Sequence, residues 1–172
     1  MFSSAEAREG ITMAITGGTK VTVGMVDHSN EPTKVSFHIA QLEDDNFGTL
    51  FAPTTGAVDL IETAIETISD CNTTSTHSSI TNNTDAGQAP ATVTAQREIA
   101  FRFSYVDTVT GTSGHFDIPG PATALYPATG TDNVDLGNVT IAAAVLVFEA
   151  NMTSPAGNPI NIVSAKLVGR GN

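Results

Sequence analysis

The chain has 172 residues and a formal net charge of −11, from 18 acidic against 7 basic residues. The basic residues stand singly and form no run that could neutralise a row of phosphates, so we predict no specific binding to nucleic acid. The one cysteine, Cys71, excludes an internal disulfide framework, and no apolar stretch reaches the length of a membrane span.

Charged residues are scarce, and this scarcity favours contact between subunits. They make up 15% of the chain, against about a quarter in most globular domains. Protein interfaces are depleted of charged residues because removing a charge from water costs free energy. A secreted β-protein with Thr-rich strands is the alternative, but the N-terminus lacks the basic and apolar regions of a signal peptide.

The first half opens with a predicted hairpin. Apolar and polar residues alternate over 19–27, which predicts a strand. Turn-forming residues follow at 28–32, and a second alternating run over 35–39 completes the hairpin. We expect a loop over 41–56 after it.

The clearest helical periodicity follows this loop. Apolar residues recur at spacings of three and four, which predicts an amphipathic helix. These residues are Ala57, Leu60, Ile61, Ala64, Ile65, Ile68 and Cys71. The opposite, polar face carries Glu62, Thr63, Glu66 and Asp70. We interpret Cys71 as a small buried residue and residues 72–92, rich in Thr, Ser and Asn, as an extended loop.

The strongest strand signal opens the second half. Ile99, Phe101, Phe103 and Tyr105 alternate with Ala100, Arg102 and Ser104. A turn over 107–114 and a returning strand around 116–118 complete a second hairpin, which Pro119 ends.

Two structures compete for the next apolar segment. Helical spacing favours a helix over 139–152, for which Asn138 is a suitable N-cap. The helically spaced residues are Ile141, Ala144, Val145, Phe148 and Met152. A buried strand over 139–147 fits the same composition and stays open. A last strand is predicted over 160–168.

The two halves share an order of elements, which predicts an internal repeat. Met25-Val26-Asp27 matches Tyr105-Val106-Asp107, and Val58-Asp59-Leu60 matches Val134-Asp135-Leu136. We predict one compact domain over 1–172, with repeats at 10–90 and 91–172. The fold class is α+β, predominantly β, with antiparallel sheets forming a sandwich or barrel and two packed helices from two similar ββαβ halves. The expected core residues are Leu60, Ile61, Ile65, Phe101, Phe103, Phe116 and Phe148.

Catalytic and binding motifs are sparse. His28, His38, His77 and His115 stand in no zinc-binding arrangement. Gly17-Gly18-Thr19-Lys20 echoes a phosphate loop without its spacing, so a hairpin turn is the better interpretation. Glu43-Asp44-Asp45 offers ligands for a divalent cation, although a solvated acidic loop is favoured. We expect no enzyme activity, no catalytic residue, no cofactor and no metal.

Short segments of residues 95–172 resemble small structural proteins of bacteriophages. The segments are Gln96-Arg97-Glu98, residues 103–111, Phe116-Asp117-Ile118-Pro119, residues 132–136, Phe148-Glu149-Ala150, residues 154–158 and Leu167-Val168-Gly169-Arg170. The resemblance implies a virion building block made in the host cytoplasm: a capsid protein, a decoration protein or a tail-tube subunit. Its implied partners are copies of itself and other virion proteins.

Two other functions stay open at this point. A bacterial surface filament or adhesin would also suit a strand-rich, weakly charged chain, and an enzyme of unfamiliar type would need polar groups that converge in a pocket. If the chain is a self-assembling subunit, the loops over 41–56 and 72–94 and the two termini are the expected contact arms.

Overall fold

The computed structural model describes residues 17–26, 32–73 and 99–169. It has the predicted fold class, α+β and predominantly β, with two antiparallel sheets. The described strands are β1 (Thr19–Val26), β2 (Pro32–Ile39), β3 (Asn72–Thr73), β4 (Ile99–Asp107), β5 (Ser113–Pro119) and β6 (Ile160–Gly169). The described helices are α1 (Phe47–Leu50), α2 (Ala57–Ile68), α3 (Val139–Asn151) and a short 3-10 helix (Thr123–Leu125).

Each half of the chain builds one three-stranded sheet. The strand orders are β2-β1-β3 and β5-β4-β6, so the first strand of each half lies at the centre of its sheet. Each half runs strand, strand, long helix, strand, and its last strand pairs antiparallel with its first. The edge strands β2 and β5 lie beside each other although they belong to different sheets. We call this junction the seam.

Alternation along the strands sends apolar side chains to one side of both sheets, where they share a core with the two long helices. Phe148 of α3 packs edge-on against Phe103 of β4 and Phe116 of β5, with ring centroids 5.6 and 5.4 Å apart. Of the seven expected core residues, six are buried, and Leu60 is only half-buried.

The buried stripe of α2 differs from the predicted one. Val58, Ile61, Ile65 and Ile68 are completely buried. Successive residues of an α-helix are about 100° apart, so Leu60 lies about 200° around the helix from Val58. It therefore falls outside the centre of this stripe. Glu62, predicted on the polar face, is only 9% exposed. The helix ends at Ile68, and Cys71 beyond it is buried, as expected of a small apolar residue.

Residues 139–151 form a helix, which decides against the buried strand. The Asn138 Oδ1 atom accepts hydrogen bonds from the backbone N–H groups of Thr140 and Ile141, at 3.0 and 3.3 Å, as predicted for an N-cap. Met152 lies just after the helix and is buried, and Val145 is half-buried.

Several local features depart from the predicted strands and loops. The β4–β6 ladder shifts register between Ser104 and Tyr105, which leaves Val163 as an extra residue on β6 and changes which residues face inward. The predicted loop over 41–56 contains α1, and the loop over 72–92 begins with β3. Apart from Pro32, where β2 starts, the turn over 28–32 lies outside the described residues, as do residues 74–92.

Candidate assembly surfaces

Helix α3 is apolar on both its inner and its outer side. Its inner side enters the core through Ile141, Ala144 and Phe148. Its outer side is also apolar, since Val139 is 81% exposed and Leu146 is 68% exposed. We call the exposed residues on this side the apolar stripe: Val139, Ala143, Leu146 and Ala150. Most helices of globular proteins turn a polar side to water, so the apolar stripe is suited to contact with another protein surface.

The charged residue of α3 is turned away from the apolar stripe. The Glu149 carboxylate accepts a hydrogen bond from the backbone N–H of Ile162 in β6, at 2.7 Å. The Asn151 side-chain amide donates to the carbonyl oxygen of Val147, at 2.8 Å. These polar groups are therefore engaged within the subunit, and the outer side of the helix consists of aliphatic side chains.

The outward side of the two sheets gathers the basic residues of the described ranges. Lys20 and Lys34 are exposed on β1 and β2, and Arg102 stands opposite Lys166 in the β4–β6 register. Asp117 is the one acidic residue on this side among the described strands, and it accepts two hydrogen bonds from Arg102, at 2.8 and 2.9 Å. We call this side the basic sheet face; it comprises Lys20, Lys34, His38, Arg102, His115 and Lys166.

The helical side carries the opposite charge. None of the described helices contains Lys, Arg or His. Helix α2 supplies Asp59 and Glu66 to its surface, and Asp70 follows it. The described part of the chain is therefore electrically polar, with a basic sheet face on one side of the core and an acidic, partly apolar helical layer on the other.

An open groove follows the seam on the basic sheet face. It encloses about 450 Å³, and its lining includes Lys20, His38 and His115 together with Phe37 and Phe116, which are only 3% and 4% exposed. A smaller hollow of about 250 Å³, lined in part by Lys34, lies along the same two edge strands. The groove is therefore a concave surface with a cationic rim, and its two phenylalanines belong mainly to the core.

The two described histidines both line this groove. His115 is exposed and His38 is half-buried. Burial lowers the pKa of His38, and the positive charge of Lys20, its partner in the β1–β2 register, lowers it further. Both side chains lie on the outward side of the sheets, next in sequence to the buried Phe37 and Phe116. His28 and His77 lie outside the described residues.

A buried carboxylate holds the far end of the second hairpin. Asp107 accepts hydrogen bonds from the backbone N–H groups of Val109 and Thr110, at 2.8 and 2.9 Å, from the Ser154 hydroxyl at 2.6 Å, and from the Asn158 amide at 3.0 Å. These hydrogen bonds hold the pKa of Asp107 far below its usual range, and the bond from Ser154 has the largest effect. This network fixes the turn after β4 to the loop before β6, which is a structural role.

The remaining predicted sites do not converge on one place. Glu43-Asp44-Asp45 is an exposed loop, in which the Glu43 carbonyl accepts from the backbone N–H groups of Asn46 and Phe47. Within 17–26, 32–73 and 99–169, no three His, Cys, Asp or Glu side chains are grouped to hold a metal ion. The backbone N–H of Gly18 donates to Pro155, which anchors the start of β1. A hairpin before Gly17 would lie outside the described residues.

Sequence reasoning missed the two surfaces described above. The basic residues appear scattered along the chain, yet each of the four in the described ranges occupies an outward position in an alternating strand, and that parity was the available signal within each strand. The apolar stripe was not predicted, because apolar residues such as Val139 and Leu146 fit a buried helix as well as an exposed one.

Comparison with models of known protein families, with curated proteins and with solved structures finds no match for this chain. In the part of the chain that the structure describes, no helix is both long enough and apolar enough to span a membrane.

Proposed function

We propose that this chain is a structural subunit that assembles with copies of itself, and that the assembly is a bacteriophage particle. The observation that carries the self-assembly is the apolar stripe of α3. A helix with two large aliphatic side chains more than two-thirds exposed is normally covered by protein or membrane. The virion setting rests on the sequence resemblance over residues 95–172.

The electrical polarity of the subunit also supports assembly. Copies of a chain with net charge −11 repel each other on average. Contact between copies is therefore favoured where charge is absent, as on the apolar stripe, or where a basic surface meets an acidic one. Both conditions are met on the described surface, and neither requires a catalytic group.

The test is the size and shape of the purified full chain. We expect light scattering to report masses above that of one chain and negative-stain microscopy to show rings, tubes or regular particles. Replacing Leu146 by Ser should reduce the assembled fraction, because it removes the largest side chain of the apolar stripe. Val109→Ser is the matched control, since Val109 is 70% exposed in the turn after β4, away from α3.

Two results would contradict this function. One is a monomer at every concentration up to that used for microscopy. The other is an equal loss of assembly in both variants, which would show that any reduction of exposed apolar surface has the same effect. Circular dichroism of both variants checks that each keeps its fold.

A further inference from the structure

We infer that the helical layer of one copy docks on the basic sheet face of the next copy, so that the contact runs head to tail. This inference rests on the proposed function and specifies its partner, which is a second copy of this chain. One copy contributes its helical layer to the contact, and the other contributes its basic sheet face. The supporting observation is that these two sides of a single copy carry complementary charges.

The charges favour this pairing over the two symmetric ones. Two helical layers facing each other would bring Asp59 and Glu66 of both copies together with no described basic residue between them. Two sheet faces would bring Lys20, Lys34 and Lys166 of both copies together. Like charges that meet in an interface cost free energy, whereas a helical layer on a sheet face pairs acidic with basic residues.

The shapes of the two surfaces are also complementary. The apolar stripe is a ridge, in which the large Val139 and Leu146 alternate with alanines. The seam groove is a concave surface on the basic sheet face, with Lys20, His38 and His115 in its lining. Placing the ridge along the groove covers the apolar stripe, while α2 brings its acidic residues over the neighbouring lysines.

A head-to-tail contact has a defined consequence for the assembly. Each copy uses one surface to bind and offers the other, so addition continues until the rotation closes a ring or extends as a filament. Rings and tubes therefore follow from this single contact, whereas a symmetric helix-to-helix contact would stop at a dimer.

Charge reversal with complementation tests the contact. The sheet variant carries Lys20→Glu and Lys34→Glu, both at exposed outward positions. The helix variant carries Thr63→Lys and Glu66→Lys, both exposed on α2. Each variant alone should lose at least tenfold in association at low salt, because the charge attraction between its two surfaces is then removed. Mixing the two variants should restore association, since each then offers the surface that the other needs.

The outcomes separate this inference from the function on which it rests. Restored association in the mixture, in alternating order by cross-linking and mass spectrometry, supports the head-to-tail contact. Assembly of the unmodified chain without restoration in the mixture overturns the contact and leaves self-assembly standing. A monomeric unmodified chain overturns both. Circular dichroism and thermal melting of each variant, compared with the unmodified chain, identify any loss of association that comes from unfolding. If the first sheet variant does not fold, a second one with Lys34→Glu and Lys166→Glu replaces it.

Discussion

Helices α2 and α3 occupy equivalent places in the two halves of the molecule, yet their surfaces differ. Helix α2 buries one apolar stripe and exposes Thr63 and Glu66 to solvent, which is typical of an amphipathic helix on the surface of a globular protein. Helix α3 buries its inner side and exposes a second apolar side. The same order of elements thus produces one helix with a polar outer side and one helix with an apolar outer side.

The halves also differ in their third strands. The described β3 has two residues, whereas β6 has ten and runs along the whole of β4. Among the described residues, the second half therefore contains the more extensive sheet and the aromatic cluster of Phe103, Phe116 and Phe148. Folding stability is expected to depend mainly on this half.

The largest expected effect is the loss of an aromatic side chain from this cluster. Phe103→Ala should lower the free energy of unfolding by about 3–5 kcal/mol, because Phe103 is completely buried and contacts two other rings. Urea denaturation measures the change. Val23→Ala, a smaller truncation at a completely buried position of the first sheet, is the comparison, and a larger loss there than for Phe103 would contradict the emphasis on the second half.

The next effect concerns the hydrogen bonds that Asp107 accepts in the second half of the chain. Hydrogen bonds depress the pKa of Asp107, so the charged form stabilises the fold above the unfolded pKa of about 3.9, and this stabilisation is lost as the pH falls below that value. Asp107→Asn should lower the melting temperature at pH 7. The difference from the unmodified chain should shrink between pH 4 and pH 2, and a difference independent of pH would contradict the account.

A smaller effect distinguishes the starts of the two helices. Asn138→Ala should cost about 1 kcal/mol, because it removes the acceptor for two backbone N–H groups of α3. Gly56 occupies the N-cap position of α2 and provides no side-chain cap. A Cβ atom at Gly56 would lie 2.6 Å from the Leu50 carbonyl oxygen. Gly56→Asn should therefore destabilise the protein in place of capping the helix. Thermal melts of both variants test this contrast.

The smallest effect is expected from the ion pair on the basic sheet face. Arg102 and Asp117 form a bidentate pair that is partly exposed to water. Exposed pairs contribute about 0–1 kcal/mol, so Arg102→Met should change the free energy of unfolding by no more than this. A double-mutant cycle with Asp117→Asn measures the coupling, and a coupling well above that range would place the pair in a less solvated environment.

The sequence predicted those elements whose apolar residues are periodic within one segment. Alternation located β1, β4 and β6, and the N-cap at Asn138 correctly favoured a helix for α3. Local patterns could not predict the register shift near Val163, because it depends on how β6 pairs with β4. The same limit applies to the basic sheet face, because Lys20 and Lys166 belong to different sheets and reach one side only when both sheets pack on the shared core.

The exposed second side of α3 has a different origin. Apolar residues over 139–151 are compatible with a fully buried helix, a buried strand or a helix shared between two molecules, and composition does not separate these. The fold excludes the buried strand and the fully buried helix, because residues 139–151 form a helix that buries Phe148 and leaves Leu146 68% exposed.

Sedimentation velocity of the unmodified full chain over a wide concentration range tests self-assembly most directly. We predict that the sedimentation coefficient rises with concentration, and that Leu146→Ser moves this rise to higher concentration. A single species with the mass of one chain at every concentration would contradict the proposal that neighbouring copies cover the apolar stripe.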